Sequence, residues 1–293
     1  MTQTVSCNIC QNNEYTVIFR AGIAQKNQIV KCNFCGLMYV NPRQNKPDVE
    51  YIKDYDPNGF PLRELRQRIE KEAFQIRDYN DIKIFLNQYY PQKGTLIEIG
   101  SGFGYLLNSL KQDGWEVKGI EPLQIGCQYT KSEFNIEAIP KTLEDTHLED
   151  NSVDVFIMLH VIEHLPNPTA TLKEIFRILK PNGLLILETP RYDTVMFKLL
   201  GKRERSISCE GHIYFFTTDT IKQITANVGF ETVKIDCVGR SLTLERFIWN
   251  LGVISRSQKI RQWLKAFSVR FYLNKIKLYL NFRDMQRVYL KKS

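Results

Sequence analysis

Apolar and polar positions alternate along the middle of the chain in a way that predicts strands and helices in regular succession. Helical spacing of apolar side chains marks residues 103–112 and 168–179, and Pro122 opens a further helix. Five apolar runs have the length and composition of buried strands, and they span residues 95–100, 116–121, 136–139, 153–159 and 184–188. This alternation predicts an α/β fold with a doubly wound, mostly parallel sheet and helices on both faces.

The pattern changes at both ends of this region. Residues 62–90 form a charged amphipathic helix that Pro91 and Gly94 stop. After a helix at 218–228, strands are predicted at 231–238 and 285–291. We interpret these strands as an antiparallel C-terminal hairpin whose connection, at about 240–283, is a basic helical insertion.

The chain therefore divides into a small unit at 1–45, a helical linker or lid at 46–92, and the α/β domain at 93–293. No run of about 18 apolar residues that could span a bilayer occurs, and the first ten residues contain no apolar leader. A cytoplasmic protein is expected.

Four of the seven cysteines form two closely spaced pairs in the N-terminal unit. Two residues separate Cys7 from Cys10, and two separate Cys32 from Cys35. In a reducing compartment such pairs favour a metal over a disulfide, and this spacing is typical of a structural zinc ribbon. The remaining cysteines are isolated and are expected in the core or in loops: Cys127, Cys209 and Cys237.

A glycine-rich segment at 98–104, Glu-Ile-Gly-Ser-Gly-Phe-Gly, joins the first predicted strand to its helix. Glycines allow a tight turn and close approach to a ligand, and the helix N-terminus adds free N–H groups. The dinucleotide fingerprint requires glycine where this chain has Tyr105, and Glu98 would repel a pyrophosphate. The second strand ends in Glu121, whose carboxylate can accept both hydroxyls of a ribose. A plain tight turn and an exposed acid are the alternative interpretations.

Residues 98–104, Glu121 and residues 155–165 together resemble class I methyltransferases that use S-adenosylmethionine, which have a Rossmann-like fold. The resemblance implies that the loop contacts the methionine part of the cofactor and that Glu121 binds its ribose. At 142–144 the chain has Thr-Leu-Glu where the family often has Asp-Ala-Glu beside the adenine. The implied cofactor-binding set is Glu98, Gly100, Ser101, Gly102, Gly104, Glu121, Leu143, Glu144, Leu159 and His160.

Two histidines are candidate catalytic bases. His160 follows the fourth strand, within a run that also contains Glu163 and His164. Similar quinone methyltransferases bind a divalent metal here through two glutamates and a histidine, but this chain has His160 in place of the first glutamate. Metal binding, helix capping and a general base therefore remain alternatives. His212, in a His-x-x-Phe-Phe-Thr segment, either faces the substrate or bonds its own loop.

The basic charge belongs to one segment. The net charge is +8, yet residues 251–293 contain 11 Lys and Arg against one acid, and the other 250 residues contain 29 against 31. Trp263, Phe267 and Phe271 lie at helical spacing among these bases, a composition typical of helices in a lipid interface. We expect this segment to touch the inner face of a membrane or a lipid-like substrate. Packing on the enzyme's core or on a dimer partner, and RNA contact, are the alternatives.

These features favour one function over two others. The preferred interpretation is an S-adenosylmethionine-dependent methyltransferase acting on a small-molecule or lipid/saccharide-precursor acceptor, with a structural zinc. The first alternative is a zinc-ribbon RNA methyltransferase, because basic segments suit phosphate contacts. The second is a cofactor-binding module without catalysis.

Overall fold

The computed structural model of the chain describes most of the N-terminal unit and of the α/β domain. The described residues are 2–22, 27–44, 62–204, 207, 211–245, 247–248, 259, 262–264, 266–267, 271, 273 and 276–293.

The secondary structure alternates as the apolar pattern predicts. The N-terminal strands are β1 (Thr2–Gln3), β2 (Tyr15–Phe19), β3 (Ile29–Cys32), β4 (Met38–Val40) and β5 (Arg43–Gln44). The later strands are β6 (Thr95–Ile99), β7 (Glu116–Ile120), β8 (Ala138–Ile139), β9 (Val153–Leu159), β10 (Leu179–Pro190), β11 (Tyr214–Phe215), β12 (Phe230–Thr243) and β13 (Lys277–Lys292). The helices are α1 (Leu62–Gln75), α2 (Asn80–Tyr89), α3 (Tyr105–Gln112), α4 (Gln124–Phe134), α5 (Pro168–Ile178), α6 (Val195–Leu200) and α7 (Thr218–Val228).

A seven-stranded sheet forms the centre of the molecule, in the order β12-β13-β10-β9-β6-β7-β8. Strands β8, β7, β6, β9 and β10 are parallel, and β13 and β12 join antiparallel at one edge. The central strands are apolar on both sides because helices cover both faces. The predicted fold class is confirmed.

The prediction that residues 240–283 are helical is wrong at both ends of this segment. The β12–β13 ladder continues outward from Arg240 opposite Leu280 to Thr243 opposite Lys277, beyond a register shift after Val238. The cross-strand ladder thus holds residues that were expected to be helical. In the connection, residues 244–245, 247–248, 259, 262–264 and 266–267 are helical, and the rest lies largely outside the described residues.

Two other predicted elements differ in detail. The single helix expected at 62–90 is interrupted by a 3-10 turn at Ile76–Tyr79, where Asp78 is buried and accepts hydrogen bonds from Ser241. Strand β10 begins at Leu179, five residues before the predicted start, because the Lys-Pro-Asn-Gly segment is an irregular part of the strand and not a separate turn.

The N-terminal unit and the α/β domain share one continuous core. Strands β2, β3 and β4 form an antiparallel sheet whose fourth strand is β11, which lies much later in the chain, after β10. Apolar residues of this unit, among them Cys7, Leu37 and Tyr39, pack in the same cluster as Ile162 and Phe216. Nowhere in the described part of the chain does a helix reach the length and apolar character needed to span a bilayer.

Candidate active site

The candidate site lies at the carboxyl ends of the central strands, where ligands bind in open parallel sheets. The β6–α3 loop, the end of β7 and the residues that follow β9 and β10 meet there. A Cβ atom added to Gly100 would lie 2.5 Å from Val161 Cγ2, so the glycine-rich loop directly contacts the turn that carries the candidate histidines.

The glycine-rich loop turns through three left-handed residues, Gly100 (φ +73°), Gly102 (φ +53°) and Gly104 (φ +78°). Side chains rarely adopt such angles, which accounts for glycine at these positions. The three glycines face different neighbours. A Cβ on Gly102 would approach Glu72 Oε2 to 2.7 Å, whereas one on Gly104 would strike Thr130 of α4 at 2.5 Å. Gly104 therefore serves close packing of α4 against the loop.

Glu121 is placed by the loop. One carboxylate oxygen accepts the Gly102 N–H at 2.8 Å, and the other accepts the Leu123 N–H at 2.9 Å. Burial raises its pKa, while these two N–H donors lower it. Each oxygen keeps a second lone pair for a ligand hydroxyl. This arrangement fits the ribose assignment made from the sequence, which stays a prediction.

Glu98 lies beneath the loop and is almost completely buried. Its exposed fraction is 6%, and its Oε2 atom has no hydrogen-bond partner among the described residues. Burial raises its pKa well above the ordinary value, and the nearby Glu72 and Glu121 carboxylates raise it further. An orphaned buried carboxylate oxygen fits a site that receives a positively charged ligand, and S-adenosylmethionine carries a sulfonium and an ammonium group. Ser101, by contrast, directs its hydroxyl against Gly119 of β7.

The two residues predicted to lie beside an adenine have other contacts. Leu143 is buried in the core, and its carbonyl accepts hydrogen bonds from Thr146. Glu144 accepts a hydrogen bond from Thr171 Oγ1 of α5. The adenine assignment stays a prediction.

His160 stands between two acids directly after Leu159, the last residue of β9. Its Nε2 lies 3.2 Å from Glu188 Oε1 at the end of β10, and its Nδ1 lies 3.8 Å from Glu163 Oε1. The backbone of His160 is left-handed (φ +58°), which is uncommon for a residue with a side chain. Nearly half of the side chain, 45%, is exposed, so the ring faces the crevice.

The charge of His160 follows from its neighbours. Burial lowers its pKa, but the hydrogen bonds and negative charges of Glu163 and Glu188 raise it more, to about 9. Its ring therefore holds a proton at neutral pH. A protonated imidazole cannot accept a proton, so the base role predicted for His160 requires this pairing to be broken.

Glu188 in turn pairs with Arg287 of β13, which is completely buried. Arg287 Nε donates to Glu188 Oε2 at 2.7 Å, and its other nitrogens pair with Asp81 and the carbonyl of Asp78. Although burial raises the pKa of Glu188, Arg287 and His160 lower it to about 2. The network fixes Glu188 as an anion beneath His160.

Two more histidines lie close together beside Glu163. The ring centroids of His164 and His212 are 4.6 Å apart at 76°. His164 Nδ1 lies 2.8 Å from the carbonyl oxygen of Gly211, which can only accept, so Nδ1 carries a proton. His212 Nδ1 lies 3.5 Å from the Tyr192 hydroxyl. The loop that carries His212 thus reaches the carboxyl end of β9.

Two groups of side chains in the described residues could hold a metal. The ligand atoms of Cys7, Cys10, Cys32 and Cys35 lie within 4.8 Å of one another, with sulfur–sulfur distances of 3.3 Å and 3.5 Å in two pairs. A tetrahedral zinc with bonds of about 2.3 Å spaces its sulfurs about 3.8 Å apart, so this group fits zinc. The second group is Glu163, His164 and His212.

Several site residues carry weak signals in the sequence. Glu188 ends an apolar strand, as Glu121 does, and the same reasoning could have identified it. Arg287 is an isolated base in the last predicted strand, which is a usable sign of a buried ion pair. Glu72 lies in the charged helix before the sheet, and nothing in its surroundings distinguishes it from its neighbours. The isolated Cys127 is buried and Cys237 is half-buried, as expected, while Cys209 lies outside the described residues.

Comparison with known proteins defines the class. A family model described as a methyltransferase domain matches residues 69–235, more than half of the chain. The solved structure of a SAM-dependent methyltransferase from Thermotoga maritima superimposes with a TM-score of 0.52, 19% identity, and coverage of 79% of this chain and 96% of that one, a likeness of fold.

Curated relatives match part of the chain. A tRNA U34 carboxymethyltransferase from Syntrophotalea carbinolica is 27% identical over 161 residues, 52% of this chain and 49% of its own length. A ubiquinone biosynthesis O-methyltransferase from Serratia proteamaculans is 29% identical over 107 residues, 34% of this chain and 44% of its own. The chain spans about half the length of the curated relatives it matches.

The fold, the loop and the family match define a methyltransferase domain with a Rossmann-like fold. The chain belongs to the methyltransferase-domain family.

Proposed function

We propose that this methyltransferase transfers a methyl group to a hydroxyl oxygen of a small-molecule or lipid/saccharide-precursor acceptor. The observation that carries the proposal is a group of titratable side chains beside the glycine-rich loop: His160, Glu163, His164 and His212. A hydroxyl nucleophile must lose its proton during methyl transfer, whereas the sulfonium cofactor supplies a neutral leaving group. A base beside the acceptor is therefore useful for oxygen methylation.

Within this group the roles differ by charge. His160 keeps its proton beside Glu188, and its Nδ1, which at 3.8 Å lies beyond hydrogen-bond distance of Glu163 Oε1, would orient the acceptor by donating a hydrogen bond. His212 is the proposed base. Glu163 is buried, and its pKa is lowered: burial raises it, but the neighbouring histidines lower it more. An ionised Glu163 would stabilise the imidazolium that forms when His212 takes the proton.

A methyl-labelling experiment tests the function. The purified chain is incubated with methyl-deuterated S-adenosylmethionine, a small-molecule extract and total RNA, and mass spectrometry follows the label in both fractions. We expect a labelled small molecule, with the rate reduced about 10²–10⁴-fold in His212→Asn because the base is lost. His147→Asn is the matched control, since His147 is exposed and outside the site. A label found in RNA would contradict the proposed acceptor. Cofactor binding without transfer of the label to any molecule would favour the cofactor-binding module without catalysis.

A second candidate acceptor is RNA. The basic C-terminal segment, with 11 bases and one acid in residues 251–293, suits phosphate contacts. One relative is named a tRNA U34 carboxymethyltransferase. Label recovered in RNA in the experiment above would establish this candidate.

We also propose that the N-terminal cysteines bind one structural zinc and that the C-terminal segment contacts an anionic lipid surface. Support for the first is the spacing of the four sulfurs. Support for the second is a row of exposed aromatic rings: Trp263 is 64% exposed, Phe271 is 55% exposed, and Phe267 stacks between them. A positively charged segment with exposed aromatic rings complements anionic headgroups.

A further inference from the structure

Helix α1 brings a third carboxylate to the cofactor loop. Both carboxylate oxygens of Glu72 accept the Phe103 N–H, at 3.0 Å and 3.1 Å. Phe103 follows Gly102, and the Glu72 carboxylate fills the space that a side chain at Gly102 would occupy. Glu72 therefore lies on the face of the loop left open by the absence of a Cβ atom.

Three acids meet beside this loop. Glu72, Glu98 and Glu121 form no ion pair within the described residues, and the charges of Glu72 and Glu121 both act on Glu98. The Oε2 atom of Glu98, which is 6% exposed, has no hydrogen-bond partner. Buried like charges are costly unless a positive group joins them. Burial and mutual repulsion of these carboxylates therefore favour a cationic group at this cluster.

We propose that Glu72 is a cofactor-binding residue that receives the ammonium group of the methionine part of S-adenosylmethionine. The cofactor offers two cations, the sulfonium and the ammonium, and only the ammonium can donate hydrogen bonds to a carboxylate. Glu121 and Glu72 bond successive N–H groups of the loop, those of Gly102 and Phe103. With Glu121 assigned to the ribose, Glu72, on the neighbouring N–H of the same loop, is a second carboxylate available to the amino-acid part.

The binding of Glu72 has a pH signature. Its pKa is raised to about 7, because burial and the charge of Glu121 raise it by more than the Phe103 and Tyr105 N–H groups and the charge of Lys71 lower it. An ammonium ligand binds the ionised carboxylate. Cofactor affinity should therefore increase as the pH rises from 6 to about 7.5 and Glu72 loses its proton.

Calorimetric titration of the full chain tests the proposal with three probes: S-adenosylmethionine, S-adenosylhomocysteine and methylthioadenosine, which lacks the amino-acid part. In Glu72→Gln we expect affinity for the first two to fall roughly tenfold, since a charge-assisted bond is replaced by a neutral one. Affinity for methylthioadenosine should change less than about twofold. Glu70→Gln is the matched control, because Glu70 is exposed on the same helix. The rise in affinity with pH should be lost in Glu72→Gln only.

Each other outcome overturns the proposal. Unchanged affinity of Glu72→Gln for S-adenosylmethionine would exclude Glu72 from the site. Higher affinity would mean that the Glu72 carboxylate occupies space that the ligand needs. Equal weakening of methylthioadenosine binding would show a structural role only. If Glu72→Gln does not fold, Glu72→Asp, which keeps the charge, takes its place. Tighter binding of S-adenosylmethionine than of methylthioadenosine by Glu72→Asp would then support the proposal, and equal binding of the two would contradict it.

Discussion

At the scale of single residues, the acceptor side of the site depends on charge that is hidden from solvent. Glu188 is buried at the end of β10, and Arg287 reaches it from the antiparallel strand β13. His160 then rests on Glu188 at the surface of the crevice. Arg287 therefore acts on His160 through Glu188, which it helps to keep ionised.

This dependence predicts the effect of removing Arg287. Arg287→Met leaves Glu188 and Asp81 without their cation, and breaking a buried pair costs about 3–5 kcal/mol. We expect a loss of that size in the free energy of unfolding, measured by urea denaturation. Arg283→Met, on the same strand but exposed, should change it by less than about 0.5 kcal/mol. Equal effects of the two substitutions would refute the buried-pair interpretation.

At the scale of elements, the cysteine unit is part of the site's construction. Its strand β4 pairs with β11, and a single residue, Ile213, separates His212 from β11. The Val40 N–H donates to the Ile213 carbonyl at 2.9 Å, and the Ile213 N–H donates to the Glu163 carbonyl at 2.9 Å. The segment with His212 is thus held between the N-terminal unit and the turn after β9.

This pairing predicts that metal loss disturbs the acceptor side and spares the cofactor side. Cys32→Ser should lose zinc and expose the backbone of residues 211–216 to hydrogen exchange, because β4 no longer supports β11. Affinity for S-adenosylhomocysteine should change less than about threefold, since among the described residues no hydrogen bond joins the loop at 98–104 to the cysteines. Metal analysis, hydrogen exchange and calorimetry give the three measurements.

Cys237→Ser is the control for this variant, since Cys237 lies outside the cysteine cluster. It should keep its metal and its exchange protection. Full protection of residues 211–216 after zinc loss would show that β11 needs no support from β4. Retained zinc in Cys32→Ser would mean that other ligands hold the metal.

At the scale of the whole molecule, the basic segment and the exposed aromatic rings predict lipid contact. Each basic residue near an anionic surface adds roughly 1 kcal/mol, and buried aromatic rings add to this. The full chain should float with anionic liposomes and remain at the bottom of the gradient with zwitterionic ones. Replacing Trp263, Phe267 and Phe271 by serine should abolish flotation, whereas Leu199→Ser, at another exposed apolar position, should not. A wild-type chain that stays at the bottom with anionic lipid rules out the membrane proposal.

The sequence by itself determined the order of elements, the glycine loop and the zinc-ligand spacing. Buried parallel strands are apolar over their whole length, so 95–100 and 153–159 were recognisable without any partner. Residues 98–104 were recognisable because a left-handed turn leaves glycine as its local mark. The cysteine pairs were evident because the two ligands within each pair are separated by two residues, the spacing typical of a zinc ribbon.

Only the tertiary structure decided which distant residues meet. Arg240 through Thr243 were expected to be helical, yet they pair with β13, because ladder partners across the sheet override local preference. Glu72 and Arg287 reach the site from elements separated from it in the sequence by 26 residues or more. The proton on His160 is set by Glu188 in the same way. Contacts between segments far apart in sequence leave no periodic trace in either segment, so the charge of the site is a property of the folded chain.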